Sequence, residues 1–125
     1  MMHEALRRFC LDLPATSEDM PFGDDTLVFR VGGRKIFALL GLGQDPPSIN
    51  LKCEPLAALE LRATWGSVRP GYHMSKKHWN TVSLDGTIPR SLVEQWIRDS
   101  WGLVVASLPR SEREAITALG APGQK

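Results

Sequence analysis

Leu27-Val28-Phe29-Arg30-Val31-Gly32-Gly33-Arg34-Lys35-Ile36-Phe37-Ala38-Leu39-Leu40 reads as a β-hairpin, and it sets the class of the fold. Leu27, Phe29 and Val31 alternate with Val28 and Arg30, the period-two pattern of a strand. Gly32-Gly33 supplies the two central residues of a primed turn, which needs the positive φ that glycine adopts without strain. Ile36 to Leu40 is apolar throughout, which predicts a central strand covered on both faces.

Outward from the hairpin, residues 3–13 predict an amphipathic helix with Leu6, Phe9, Cys10 and Leu13 on one face, ended by Pro14. Met20 and Phe22, two apart, suggest a short edge strand within residues 15–25. Ser48 to Lys52 alternates as a strand with Ile49 and Leu51 inward. Glu54-Pro55 opens a short helix to about Ala63, since proline is tolerated at a first helical position. Residues 65–75 read as strand then turn, and Trp79–Leu84 as a strand closed by Asp85-Gly86. Pro89 starts the longest helix, with Leu92, Val93, Trp96 and Ile97 along one face and a bend expected at Gly102. A last, exposed helix is expected over residues 111–119. Trp65, Trp96 and Trp101 fall on apolar patterns and are assigned to the core. The expected class is α+β: an antiparallel sheet backed by helices on one face. A single domain over residues 1–119 and a flexible tail over 120–125 complete it.

Composition excludes more than it selects. The chain has 125 residues, 42% hydrophobic and 23% charged, with a net charge of +1. A strong overall basic field is therefore absent, and any electrostatic function depends on how charge is distributed. Cys10 and Cys53 fit no disulfide framework or zinc pattern and read as small buried thiols. No apolar run approaches the roughly 20 residues that cross a bilayer, and the start lacks the charged and apolar regions of a signal peptide. A cytoplasmic monomer without a membrane partner is expected.

The distribution of charge points to residues 69–82. Arg69, Tyr72, His73, Lys76, Lys77, His78 and Trp79 lie within fourteen residues, and no Asp or Glu occurs from Leu61 to Leu84. Cations beside aromatic faces suit phosphates and exposed bases together. Ordinary surface lysines and a core tryptophan would give the same pattern. His73 and His78 are five apart, which matches no metal-ligand spacing, and no nucleophile is placed for them. Leu40-Gly41-Leu42-Gly43-Gln44 is a fragment of a dinucleotide fingerprint, rejected because Pro46-Pro47 follows where a helix should open. Carboxylates at Glu18-Asp19 and Asp24-Asp25 read as solvated loop charges. No cofactor and no metal is expected.

Asn50-Leu51-Lys52-Cys53-Glu54-Pro55, Val68-Arg69-Pro70-Gly71-Tyr72-His73 and Lys76-Lys77-His78-Trp79-Asn80-Thr81-Val82 resemble the MmcQ/YjbR family of small bacterial proteins. Phe22-Gly23, Lys35-Ile36-Phe37-Ala38 and Ser100-Trp101-Gly102-Leu103-Val104-Val105 resemble it too, although Trp101-Gly102 stands where Tyr-Glu is usual. The resemblance spans roughly residues 4–118. It implies a double-wing, CyaY-like (frataxin-like) fold and a DNA-binding label that rests on fold analogy. It assigns no catalytic residue. Frataxin-like iron handling goes with an acidic first helix and is not expected, because this first helix carries Glu4 and Asp12 against Arg7 and Arg8.

Two readings stay open. In the first, a non-enzymatic nucleic-acid-binding domain, Arg69, Lys76 and Lys77 contact phosphates. Tyr72, His73 and Trp79 stack or rim the site, and Asn80 bonds a base edge or sugar. In the second, the same segment forms a pocket for a small anionic ligand or a protein partner, with Lys52 and Arg69 gripping the anion and Tyr72 and His73 orienting it. A concave pocket lined by Lys52, Arg69 and Tyr72 would favour the second. A flat basic stripe running onto Arg30, Arg34 and Lys35 would favour the first.

Overall fold

A computed structural model describes residues 2–71 and 74–119. The expected tail at 120–125 lies outside them, as do Tyr72 and His73. Ten elements follow in order: α1 (Met2–Leu11), β1 (Thr16–Asp19), β2 (Thr26–Val31), β3 (Lys35–Gly41), β4 (Ser48–Lys52), α2 (Pro55–Thr64), β5 (Val68–Pro70), β6 (Trp79–Ser83), α3 (Arg90–Ala106) and α4 (Arg110–Thr117). The strands form one sheet in the order β1-β2-β3-β4-β6-β5, and every neighbouring pair is antiparallel. Pro70 sits on the β5 edge, the place where a residue without an N–H is tolerated.

The hairpin forms with one refinement. Gly32 and Gly33 have φ of 63° and 68°, and the Arg34 N–H donates to Val31 O at 3.1 Å, as a primed turn requires. Pairing runs Val31↔Lys35 and Arg30↔Ile36, then resumes at Phe29↔Ala38. Phe37 is thus left over as a bulge. The bulge turns the Phe37 side chain into the helix-side core, where it meets Phe29 with ring centroids 6.4 Å apart.

The helices lie on one face of the sheet. Leu6 and Cys10 of α1, Val93, Ile97 and Trp101 of α3, and Ile116 of α4 meet Phe29, Leu40, Ile49, Leu51 and Val82 in one core. Trp65 packs edge-on against Trp96. Among the described residues the opposite face carries a small cluster, Val28, Leu39 and Trp79, with Ile36 and Met74 partly packed against it. β3 is therefore covered on both sides, as its unbroken apolar run requires.

Three expectations are corrected. The edge strand is Thr16–Asp19, and Met20 and Phe22 follow it as exposed loop residues. The strand is held by charge pairs instead of apolar alternation: Arg7 grips Glu18 through both carboxylate oxygens, at 2.9 and 2.7 Å, and Arg30 donates to Asp19 at 3.2 Å. α3 runs without interruption through Gly102 to Ala106, because its buried face continues through Trp101, Val104 and Val105. α4 is not wholly exposed, since it buries Ile116.

Cys10 is fully buried, and burial pushes its thiol up to about 12. An unfolded thiol ionises near 8.5, so above that pH the unfolded chain releases a proton the folded chain keeps, and stability falls as pH rises. By about pH 10 the loss should reach roughly 2 kcal/mol, readable as a fall in urea midpoint between pH 8 and 10 that Cys10→Ala reduces to the smaller part due to Cys53. Cys53 differs from expectation in being only half-buried; burial and then Asp99 raise its thiol.

Candidate functional site: the helix-free face and its cationic corner

Directly paired strand residues share a face, so the register maps the side without helices. One row crosses the whole sheet: Asp19, Val28, Leu39, Asn50, Thr81 and Arg69. Lys52 pairs with Trp79 in the next row, which places it on the same face as the Trp79 ring. Lys52 and Arg69 therefore lie on one surface, two strand spacings or about 10 Å apart across the sheet.

The chain leaving β5 folds back on itself before β6. The Gly71 N–H donates to Trp79 O at 2.8 Å, the Met74 N–H to Gly71 O at 3.0 Å, and the His78 and Trp79 N–H groups both to Ser75 O. Lys76 and Lys77 are exposed on this turn and His78 is half-buried. His78 O accepts from the Cys53 N–H at 2.7 Å, tying the turn to the end of β4. Lys52, Lys76 and Lys77 thus border one corner of the helix-free face, and Arg69 lies on the same face farther along β5.

Other expected contacts are absorbed by the fold. Trp79 is buried in the small cluster, so its ring is covered. Asn80 is 2% exposed: its Oδ1 accepts from Arg62 Nε at 2.7 Å, and its Nδ2 donates to Ala58 O at 3.4 Å. Arg62 also donates to Lys76 O and Trp79 O. It is a brace, and not an extra cation for a ligand. Nor does an unpaired basic stripe continue onto the hairpin. Arg30 bonds Asp19 and Arg34 O, Arg34 bonds Glu112 at 2.6 Å, and Lys35 donates to Ser107.

Gly71 has a steric reason to be glycine. A Cβ there would lie 2.8 Å from Trp79 Cβ and 3.1 Å from Trp79 O. Gly71→Ala should force the crossing backbones apart and cost about 2 kcal/mol, measured as a drop in the urea midpoint at unchanged slope.

The cleft on this face was not anticipated. It has a volume of about 540 Å³, and is lined by Phe22, Asp25, Thr26, Leu39, Gly41, Gly43, Gln44, Ser48, Asn50 and Met74. Phe22 belongs to the β1–β2 loop, Gly43 and Gln44 to the β3–β4 loop, and Met74 to the segment that carries the lysines. Gly41 and Gly43 are points of close approach in its wall. A Cβ on Gly41 would meet Ser48 Oγ at 3.3 Å, and one on Gly43 would come within 2.7 Å of Asp25 Oδ2. The rejected Gly-x-Gly fragment was the available signal, since its glycines mark close approach at the end of a strand.

Two further recesses separate the expected anion ligands. Lys52 borders one of about 220 Å³ between α2 and α3, with Leu51, Ala57, Leu61 and Trp96. Arg69 lines a shallow one of about 420 Å³ with Ser67, Ser83, Asp45 and Asp85. That depression adjoins the large cleft through Gln44 and borders the same β3–β4 loop. Asp85 accepts from Thr87 and Ser67, which holds its carboxyl below the usual range. Among the described residues no three metal-ligating side chains converge, and no helix is long and apolar enough to cross a membrane.

A six-stranded antiparallel sheet, with the four helices of the described residues on one face, defines a small α+β domain. The chain belongs to the YjbR family, whose model matches residues 11–103. It is 39% identical to the uncharacterised protein YbdF of Escherichia coli O157:H7, over 92% of this chain and 93% of that one. It is 34% identical to the uncharacterised protein YjbR of Escherichia coli strain K12, over 67% of this chain and 71% of the other. The crystal structure of Deinococcus radiodurans protein DR2400, a DUF419 domain, superposes with a TM-score of 0.85 at 42% identity, covering 92% of this chain and 87% of that one. A Pseudomonas syringae protein gives a TM-score of 0.70 at 30% identity, covering 82% and 98%.

Proposed function

We propose that the protein is a nucleic-acid-binding domain that uses the helix-free face of its sheet. One observation carries the reading: a cleft with apolar and amide walls lies beside a corner bordered by Lys52, Lys76 and Lys77. Phosphates need cations and bases need flat or apolar surface, and the two lie next to each other here. The net charge of +1 makes the binding weak and salt-sensitive. The arrangement of strands and helices is taken to be of the double-wing, frataxin-like type. Two cysteines outside any disulfide support a reducing, cytoplasmic setting.

The second reading, a small anionic ligand or a protein partner, draws support from the volume of the cleft, which lies within the range of small-molecule sites. Fluorescence anisotropy of labelled single- and double-stranded DNA across salt separates the two. Affinity should fall linearly in log salt, and Lys76→Ala/Lys77→Ala should make the slope shallower by about 1.5. No binding at low salt would reject the nucleic-acid reading in favour of the small ligand.

A further inference from the structure

The cleft has a polarity of its own. Among the described residues of its lining, Asp25 is the one that ionises, and it belongs to the loop at the start of β2. Met74 lines it from the segment that leads to the lysine turn. A ligand with a negative end is repelled from Asp25 and drawn toward the corner bordered by Lys52, Lys76 and Lys77. What reaches Asp25 must instead donate hydrogen bonds.

The amides are arranged in the same sense. Asn50 Oδ1 accepts from Thr81 Oγ1 at 2.6 Å, which fixes the amide and leaves Nδ2 as its remaining donor. Gln44 Nε2 donates to Ser48 Oγ at 3.2 Å, which leaves Oε1 as an acceptor. Phe22, 66% exposed, offers an aromatic face at the mouth. Mixed donors and acceptors between apolar walls match the edge and faces of a nucleobase.

We infer that the cleft holds one unpaired base of a single strand, with an amino-bearing edge toward Asp25 and the backbone phosphates toward the lysine turn. This rests on the nucleic-acid reading above and goes further, in strand type and in base preference. A duplex keeps its pairing edges occupied, so it cannot fill the cleft without unpairing. Adenine and cytosine present an exocyclic amino group to a carboxylate, and guanine an amino group beside a ring N–H. Thymine presents one N–H between two carbonyl oxygens, which repel it.

The experiment compares labelled oligo-dC, oligo-dA and oligo-dT of equal length, and a mixed-sequence duplex, at one low salt concentration. Oligo-dC or oligo-dA should bind roughly fivefold tighter than oligo-dT, and every expected single strand tighter than the duplex. Asp25→Asn should abolish the base preference while leaving the salt slope unchanged. Gly43→Ala, which displaces the Asp25 side chain without changing charge, should weaken the preference independently. Lys76→Ala/Lys77→Ala should do the reverse: a shallower salt slope with the preference kept. Equal affinity for duplex and single strands, or a preference that survives Asp25→Asn, overturns the inference and leaves the broader reading standing. If no oligonucleotide binds, the broader reading fails. The cleft is then tested with free cytidine and thymidine by chemical-shift changes at the Gln44 and Asn50 side-chain amides. Shifts with cytidine alone support the base site, and shifts with neither overturn it.

Discussion

Arg62→Ala is expected to lower the unfolding free energy by about 3 kcal/mol, the largest effect of any single exposed or half-exposed side chain considered. The guanidinium reaches from α2 to Asn80 Oδ1, Lys76 O and Trp79 O. Asn80 is almost wholly buried, so truncating Arg62 leaves Oδ1 of a buried amide without its partner. A charged hydrogen bond contributes about 1.5–3 kcal/mol, and a stranded buried acceptor costs about 1–3 more. Water entering the space left by the side chain recovers part of that sum. Arg62→Lys should restore less than half, because one ammonium cannot reproduce a planar fork to three acceptors. Urea titration of wild type, Arg62→Ala, Asn80→Ala and the double variant measures the coupling. Coupling of at least about 1 kcal/mol is the expected result. Additive losses would mean that the two side chains act separately, and the account of the brace would be wrong.

That brace bears on the meaning of the shared motif. Its cations are divided by the fold into a structural set and a peripheral set, which a one-dimensional reading merges. Arg62 lies inside the stretch from Leu61 to Leu84 that holds no Asp or Glu, yet its partners are a side-chain amide and two carbonyls, which no charge pattern reveals. Asn80 reads as polar and so as available for a base; in the folded chain it lies beside Leu51 and Val82 on the helix side of the sheet and bonds α2. Gly71 is required by Trp79, and Trp101 Nε1 donates to Pro14 O at 3.1 Å, joining α3 to the end of α1. Much of the resemblance is therefore a record of how the sheet and helices are stitched together. Two of its positions, Phe22 and Asn50, line the cleft instead.

The legible parts of the fold were those set by local chemistry. The period-two alternation of Ser48–Lys52 placed Ile49 and Leu51 inward, Pro55 marked the start of α2, and Gly32-Gly33 marked the turn. What escaped depends on contacts between residues distant in sequence. β1 is held by Arg7 and Arg30, and α3 stays unbroken at Gly102 because its flanking residues are buried. The cleft escaped for the same reason. Its walls come from three separate loops and three strands, and only Gly41 and Gly43, at and just past the end of β3, hinted at a close approach.

The bulge at Phe37 leads to the second large effect. Ala38 pairs with Leu51, so the next rung of the β3–β4 ladder would join Phe37 and Lys52. Instead the Ser100 hydroxyl of α3 stands between them. It accepts from the Lys52 N–H at 2.9 Å and donates to Phe37 O at 2.6 Å. Ser100 is fully buried, so a polar side chain in the core is justified only by these two bonds. Ser100→Ala deletes one oxygen and strands a donor and an acceptor together. At about 1–3 kcal/mol for each, less relaxation, the expected loss is about 2–3 kcal/mol. Amide exchange at Lys52 should accelerate by the same free energy, whereas exchange at Asn50, two residues along the ladder, should follow only the change in global stability. A loss below about 0.5 kcal/mol would show that the strands close the missing rung directly. In that case the hydroxyl is an insertion into a ladder able to do without it. A loss near the expected value would show that the bulge and the buried serine are one device, with β3 bent at Phe37 because α3 supplies the bond that the bend removes.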